Sequence, residues 1–169
     1  KKMIRKETLL SEVLEIGSEC QRRNNCCKHG SGCLINDDLT KISLFLGLSE
    51  KEVNEKYLEG VEKFNTRLLR PKIVREGKPY GVCIFFDEMG CKIHSVKPTE
   101  CKVGNCGEHG EELSKWFMLN NFVNAHDPES IRQYAIYLKT HEALPGGELR
   151  ELVLDEGRLR KILDFTILK

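Results

Sequence analysis

The sequence predicts a mostly helical α+β domain with a small irregular β-hairpin portion. Three observations predict it. Apolar residues recur at helical spacing in several segments of the 169-residue chain. One central stretch is instead β-branched and aromatic and is bounded by Gly and Pro. Two further stretches carry eight cysteines without any periodicity. One domain over residues 1–169 is expected, with a cysteine-bearing core at 18–106 and a helical portion at 107–169.

Leu10, Val13, Leu14 and Gly17 predict an amphipathic helix from about Glu7 to Ser18 that delivers Cys20. From Cys20 to Cys33 the chain is rich in Asn, Gly, Lys and Arg and reads as a loop wrapped around something other than apolar side chains. Asn36, Asp37 and Asp38 supply capping residues before Leu39, Ile42 and Leu46. Ser49-Glu50-Lys51-Glu52 is a capping-box pattern that opens a second helix running toward Phe64. Short strands are expected at Pro71 to Arg75 and Tyr80 to Phe86.

Beyond Cys106, Leu113, Trp116, Phe117, Asn120, Phe122 and Val123 describe a helix with a wide apolar face, its Trp a packing residue. Asp127-Pro128-Glu129 starts another, carried by Ile131, Tyr134, Ala135 and Leu138 and ended by Pro145-Gly146-Gly147. Leu159, Ile162 and Leu163 mark a terminal helix.

With 27 basic and 26 acidic residues, the charge balance supports no nucleic-acid partner. No apolar run approaches the roughly 20 residues of a membrane span. Lys1 to Lys6 is followed by acidic amphipathic sequence rather than a signal core, so a soluble, cytoplasmic protein is expected. In a reducing compartment eight cysteines point to metal rather than disulfides. Cys-rich loops organised around metal are therefore part of the predicted architecture.

The first cluster is Cys20, Cys26, Cys27 and Cys33; the second is Cys83, Cys91, Cys101 and Cys106. Thiolates suit zinc and iron–sulfur clusters. No C-x2-C knuckle occurs, and neighbouring side chains such as Cys26 and Cys27 are expected to diverge toward more than one metal atom. Cys83 to His94 reads as a hairpin with a three-residue turn ending at Gly90, which pairs Asp87 with Cys91. In that register Cys83 and Cys91 lie roughly 13 Å apart, too far to share one zinc. Lys28, Lys92, Lys97 and Lys102 place cations around both clusters, where they stabilise thiolates.

In its order of residues the chain resembles the YkgJ-type cysteine-cluster family, the CxxCxxCC zinc/iron-chelating domain, to which flagellin lysine-N-methylase is related. The resemblance runs through Cys20, Cys26 and Cys27, then Cys83, Gly90-Cys91-Lys92-Ile93-His94, Lys97-Pro98 and Cys101. Arg23 stands where the family has its second cysteine, with Cys33 and Cys106 as replacements, and His94 stands where a Tyr is usual. His29 and His94 are candidates for an outer-shell role or a spare ligand, His94 reading first as a surface residue.

The expected cofactor is an iron–sulfur cluster, of [4Fe–4S] type, or zinc, in a structural, storage or electron-transfer role. The resemblance adds a metal-dependent enzyme of protein or small-molecule methylation as an alternative, and a zinc-stabilised module gripping a protein partner is a second. No G-x-G-x-x-G or phosphate-loop motif marks a further cofactor.

Overall fold

A computed structural model describes residues 3–19, 25–104 and 106–169. It is a mostly helical α+β architecture with short antiparallel hairpins. Contacts divide the chain into two compact units, one of residues 1–16, 62–67 and 108–169, the other of 17–61 and 68–107.

The elements follow in chain order. Helix α1 spans Leu10–Gly17 and α2 spans Asn25–His29. The expected loop between the first cysteines thus contains a helical turn, and that turn carries both vicinal cysteines. Helix α3 is Asp38–Leu46, closed by Gly47 in the left-handed conformation, and α4 is Glu50–Tyr57. The Ser49/Glu52 capping box forms in full: the Ser49 hydroxyl accepts from Glu52 N–H, and the Glu52 carboxylate accepts from Ser49 N–H.

Helix α4 stops at Tyr57, seven residues short of the expected Phe64. Val53, Tyr57, Val61 and Phe64 mimic a helical stripe, yet Leu58 is extended and the chain continues as β1, Leu58–Lys63, paired with β2, Thr66–Pro71. Phe64 and Asn65, both at positive φ (50° and 58°), make the two-residue turn of a tight hairpin. Cross-strand pairing overrides the local period here.

Strand β3 (Ile73–Val74) pairs with β4 (Val82–Cys83), Ile73 opposite Cys83 and Val74 opposite Val82. Strand β5 (Phe86–Asp87) pairs with β6 (Gly90–Cys91). The second hairpin corrects the expected register: Asp87 faces Gly90 and Phe86 faces Cys91, around a two-residue turn. Gly90 does take positive φ, 108°, as the turn reading required. A 3₁₀ turn at His94–Val96 leads to α5, Thr99–Val103. Leu34, Ile42, Val53, Leu58, Cys83, Phe85 and Ile93 are the buried core of this unit.

The other unit holds α6 (Gly110–Asn121), α7 (Pro128–Tyr137), α8 (Leu149–Leu152) and α9 (Glu156–Leu163). Asp127 caps α7 by accepting from Glu129 N–H, with Pro128 in the first turn. Leu113, Trp116 and Phe117 are buried as the apolar stripe predicted, and the Trp116 indole donates to Thr8 O at 2.9 Å. Among the described residues, no helix is long and apolar enough to cross a membrane.

Candidate metal centre

Five thiols gather in the unit of residues 17–61 and 68–107: Cys26 and Cys27 from α2, Cys83 from β4, Cys91 from β6 and Cys101 from α5. Each lies within electrostatic reach of others in the set. Cys27 feels Cys101 and Cys91, Cys83 feels Cys91 and Cys26, and Cys101 feels Cys83 and Cys26. The broken sheet explains how Cys83 and Cys91 come together. They belong to different hairpins, so the separation expected along one strand does not apply.

The vicinal pair converges instead of diverging. The thiol of Cys27 hydrogen-bonds the Cys26 sulfur, which with the amides of Cys27 and Cys26 and the charge of Lys97 pulls Cys26 down to about 6 against the opposing effect of burial. The same bond, with burial and the neighbouring Cys26, Cys101 and Cys91, pushes Cys27 far up. Cys27 S–H thus donates to the Cys26 sulfur and favours its thiolate form.

Cys83 and Cys91 repeat one local arrangement. Each ends a two-residue strand, and each sulfur receives the amide two residues on, Phe85 N–H for Cys83 and Ile93 N–H for Cys91. Phe85 and Ile93 are themselves 3% and 1% exposed, so core packing aims those amides. The backbone bond from Lys92 N–H to Phe85 O, 2.8 Å, ties the two arrangements together. Burial still raises both thiols, helped by other cysteines and opposed at Cys91 by Lys97.

Cys101 is pushed up by burial, with Cys83, Cys26 and Glu100 adding negative charge; the Gly32 amide donates to its sulfur and opposes this. Gly32 has to be glycine for this approach. A Cβ there would stand 2.5 Å from Cys101 Sγ and 2.8 Å from Cys101 N.

Cys33 is buried, its backbone paired with Glu100, and Cys106 is exposed beyond α5. His29 is exposed with its ring 5.6 Å from that of Tyr80, and His94 is exposed in the 3₁₀ turn. Cys20 and Arg23 lie outside the described residues.

The donor set fits a thiolate-bound metal. Sulfurs from four chain segments lie within electrostatic reach of one another, and Cys26, Cys83, Cys91 and Cys101 each receive a backbone amide, which favours the thiolate a metal needs. Among the described residues, however, no three Cys, His, Asp or Glu side chains stand in a ready-made metal-holding arrangement. The sulfurs are gathered and aimed rather than clenched. Gly32 and the amides of Phe85 and Ile93 escaped the sequence reading, since nothing in a run of residues marks which amides will meet a sulfur.

Residues 19–118 match the family described as the CxxCxxCC zinc- or iron-chelating domain. No curated protein and no solved structure matches the chain.

Proposed function

This chain belongs to the CxxCxxCC family of zinc- or iron-chelating domains, and on that premise we propose that Cys26, Cys83, Cys91 and Cys101 hold its metal as a four-thiolate centre. The observation that supports the reading is that these sulfurs lie within electrostatic reach of one another, each with its own amide donor. Cys27 is the fifth member, giving a hydrogen bond to the Cys26 sulfur or taking its place as ligand. The sequence also offers Cys20, Cys33 and Cys106 as ligands. Four thiolates satisfy either a tetrahedral zinc or a [4Fe–4S] cluster. A cluster would supply one-electron chemistry, whereas zinc would supply a redox-silent crosslink. The role is structural, storage or electron transfer.

The residues contribute what either metal requires. Cys83 is buried, and Lys97 offsets the negative charge of the assembled thiolates at Cys26 and Cys91. The test is protein purified without oxygen, with zinc, iron and acid-labile sulfide counted against protein. Iron with equal sulfide and broad visible absorption identifies the cluster; colourless protein with one equivalent of zinc identifies the zinc form. Cys83→Ser and Cys101→Ser should each lose most of the bound metal. Full metal content in both variants would overturn the ligand assignment.

A further inference from the structure

Helix α5 is only five residues long, and it carries the Cys101 sulfur, so something other than its own length must hold it. Two carboxylates from different segments do so. The Asp38 side chain, 3% exposed at the start of α3, accepts at Oδ2 from the amides of Ile35 (2.9 Å) and Thr99 (2.8 Å) and at Oδ1 from the Thr99 hydroxyl (2.9 Å). It caps two chain segments at once, and the second is the first turn of α5.

Glu100 then reaches away from its own helix. Its Oε1 accepts from Cys33 N–H at 2.7 Å, while its own N–H donates to Cys33 O at 3.4 Å. The residue before Cys33 is Gly32, whose amide donates to the Cys101 sulfur. Gly32-Cys33 and Glu100-Cys101 are therefore interlocked by three bonds running in both directions.

Glu100 is an odd choice on electrostatic grounds alone. An acidic neighbour repels the Cys101 thiolate and any anionic four-thiolate centre. Reach, not charge, is what Glu100 supplies to the Cys33 amide.

We propose that Glu100 and Asp38 are positioning residues for Cys101, setting its sulfur for metal through the Cys33 amide and the first turn of α5. The proposal rests on the four-thiolate reading for its consequence. It assigns metal affinity to two side chains that never touch the metal, an effect of about tenfold to a hundredfold for such supporting groups. It also makes a prediction of opposite sign for two changes at one residue. Glu100→Gln keeps an oxygen for the Cys33 amide and removes the repulsive charge, whereas Glu100→Asp keeps the charge and shortens the reach.

The experiment uses the full chain with zinc as probe, its affinity measured by competition with a chromogenic chelator. Cobalt(II) in place of zinc reports sulfur ligation through its thiolate absorption. Glu100→Gln is expected to bind zinc as tightly as the wild type or more tightly, with an unchanged cobalt spectrum. Glu100→Asp and Glu100→Ala are expected to bind about tenfold or more weakly with a reduced cobalt–thiolate band. Thr99→Val, which removes only the hydroxyl bond to Asp38, gives a measurable variant should Glu100→Ala not fold, and a loss of a few-fold is expected. Equal affinity in Glu100→Gln and Glu100→Asp would overturn the proposal, as would wild-type affinity in Glu100→Ala. If Cys101→Ser binds zinc like the wild type, the ligand reading itself has failed; if it binds weakly while Glu100→Asp does not, only the positioning role has.

Discussion

Replacing Glu59 should destabilise the cysteine-bearing unit in a way that fades in acid. The Glu59 side chain, 24% exposed on β1, accepts from Ile73 N–H at 2.8 Å and faces the guanidiniums of Arg70 (3.4 Å) and Arg75 (3.3 Å). Burial opposes its ionisation, but the Ile73 amide, the Arg75 hydrogen bond and the charges of Arg70 and Arg75 outweigh it and hold the carboxyl below its usual range. A charged acceptor on a backbone amide contributes about 1.5–3 kcal/mol. The half-exposed arginine contacts add about 0–1 kcal/mol each after screening. Glu59→Ala should therefore cost about 2–4 kcal/mol at neutral pH, whereas Glu59→Gln, which keeps an oxygen for Ile73, should cost about 1 kcal/mol. Because the folded pKa is depressed, this stability is fully present above the unfolded carboxyl value of about 4.3 and is lost as pH falls through the lower folded value. The measurement is a urea unfolding series on wild type, Glu59→Ala and Glu59→Gln at neutral pH and at steps below about pH 4.3. A wild-type-to-Gln gap that stays constant or widens as pH falls would refute the argument.

Three further outcomes follow from single contacts. Gly32→Ala should force Cys101 away from the 32–33 backbone, because the new methyl would stand 2.5 Å from Sγ; zinc affinity by chelator competition should fall about tenfold or more. Tyr134→Phe removes a hydroxyl that donates to Gly147 O at 2.6 Å from a fully buried ring, and should cost about 1–2 kcal/mol, read as a thermal midpoint lower by a few degrees. Trp116→Phe loses the indole bond to Thr8 O and part of a side chain 4% exposed, and should cost about 1–3 kcal/mol in chemical unfolding.

What could be read from the residues alone was what neighbours in sequence decide. The Ser49/Glu52 box and the Asp127-Pro128 start act within one turn of their own helices, and both are where their patterns put them. The long apolar stripe of α6 is equally local. Features set by pairing between segments were not legible. Val61 and Phe64 continue a helical spacing that β2 overrides, and the Cys91 hairpin turns one residue tighter than its glycine suggested. At the sulfurs, the cluster membership of Cys26, Cys27, Cys83, Cys91 and Cys101 could be named from spacing. Their orientation could not. Vicinal side chains are expected to diverge, and the hydrogen bond between Cys27 and the Cys26 sulfur joins them instead. Asp38 shows the limit most directly: it looks like a cap for its own helix, and Asp37 precedes it, yet no side chain caps α3, and the Asp38 carboxylate serves Ile35 and Thr99, the latter 61 residues away.

The absence of any C-x2-C knuckle gains a physical reason from Cys83 and Cys91. A knuckle does two jobs, placing two sulfurs on one metal and aiming backbone amides at them. Here the jobs are divided. A pair of two-residue strands presents single sulfurs, and the amide two residues later is aimed by burying Phe85 or Ile93 in the apolar core. The thiol pocket is consequently an extension of that core, with Cys83 a member of both. Changes in the apolar layer should then act on the sulfurs. Phe85→Leu, which leaves every cysteine in place, alters the packing that fixes the Cys83 amide, and it should lower zinc affinity along with stability. A surface change of similar size, such as Met89→Ala at a residue 95% exposed, should alter neither. Chelator competition and urea unfolding on the two variants compare them directly. If Phe85→Leu loses stability while its zinc affinity stays at the wild-type value, core packing does not aim the amide, and the sulfur geometry is set by the hairpins alone.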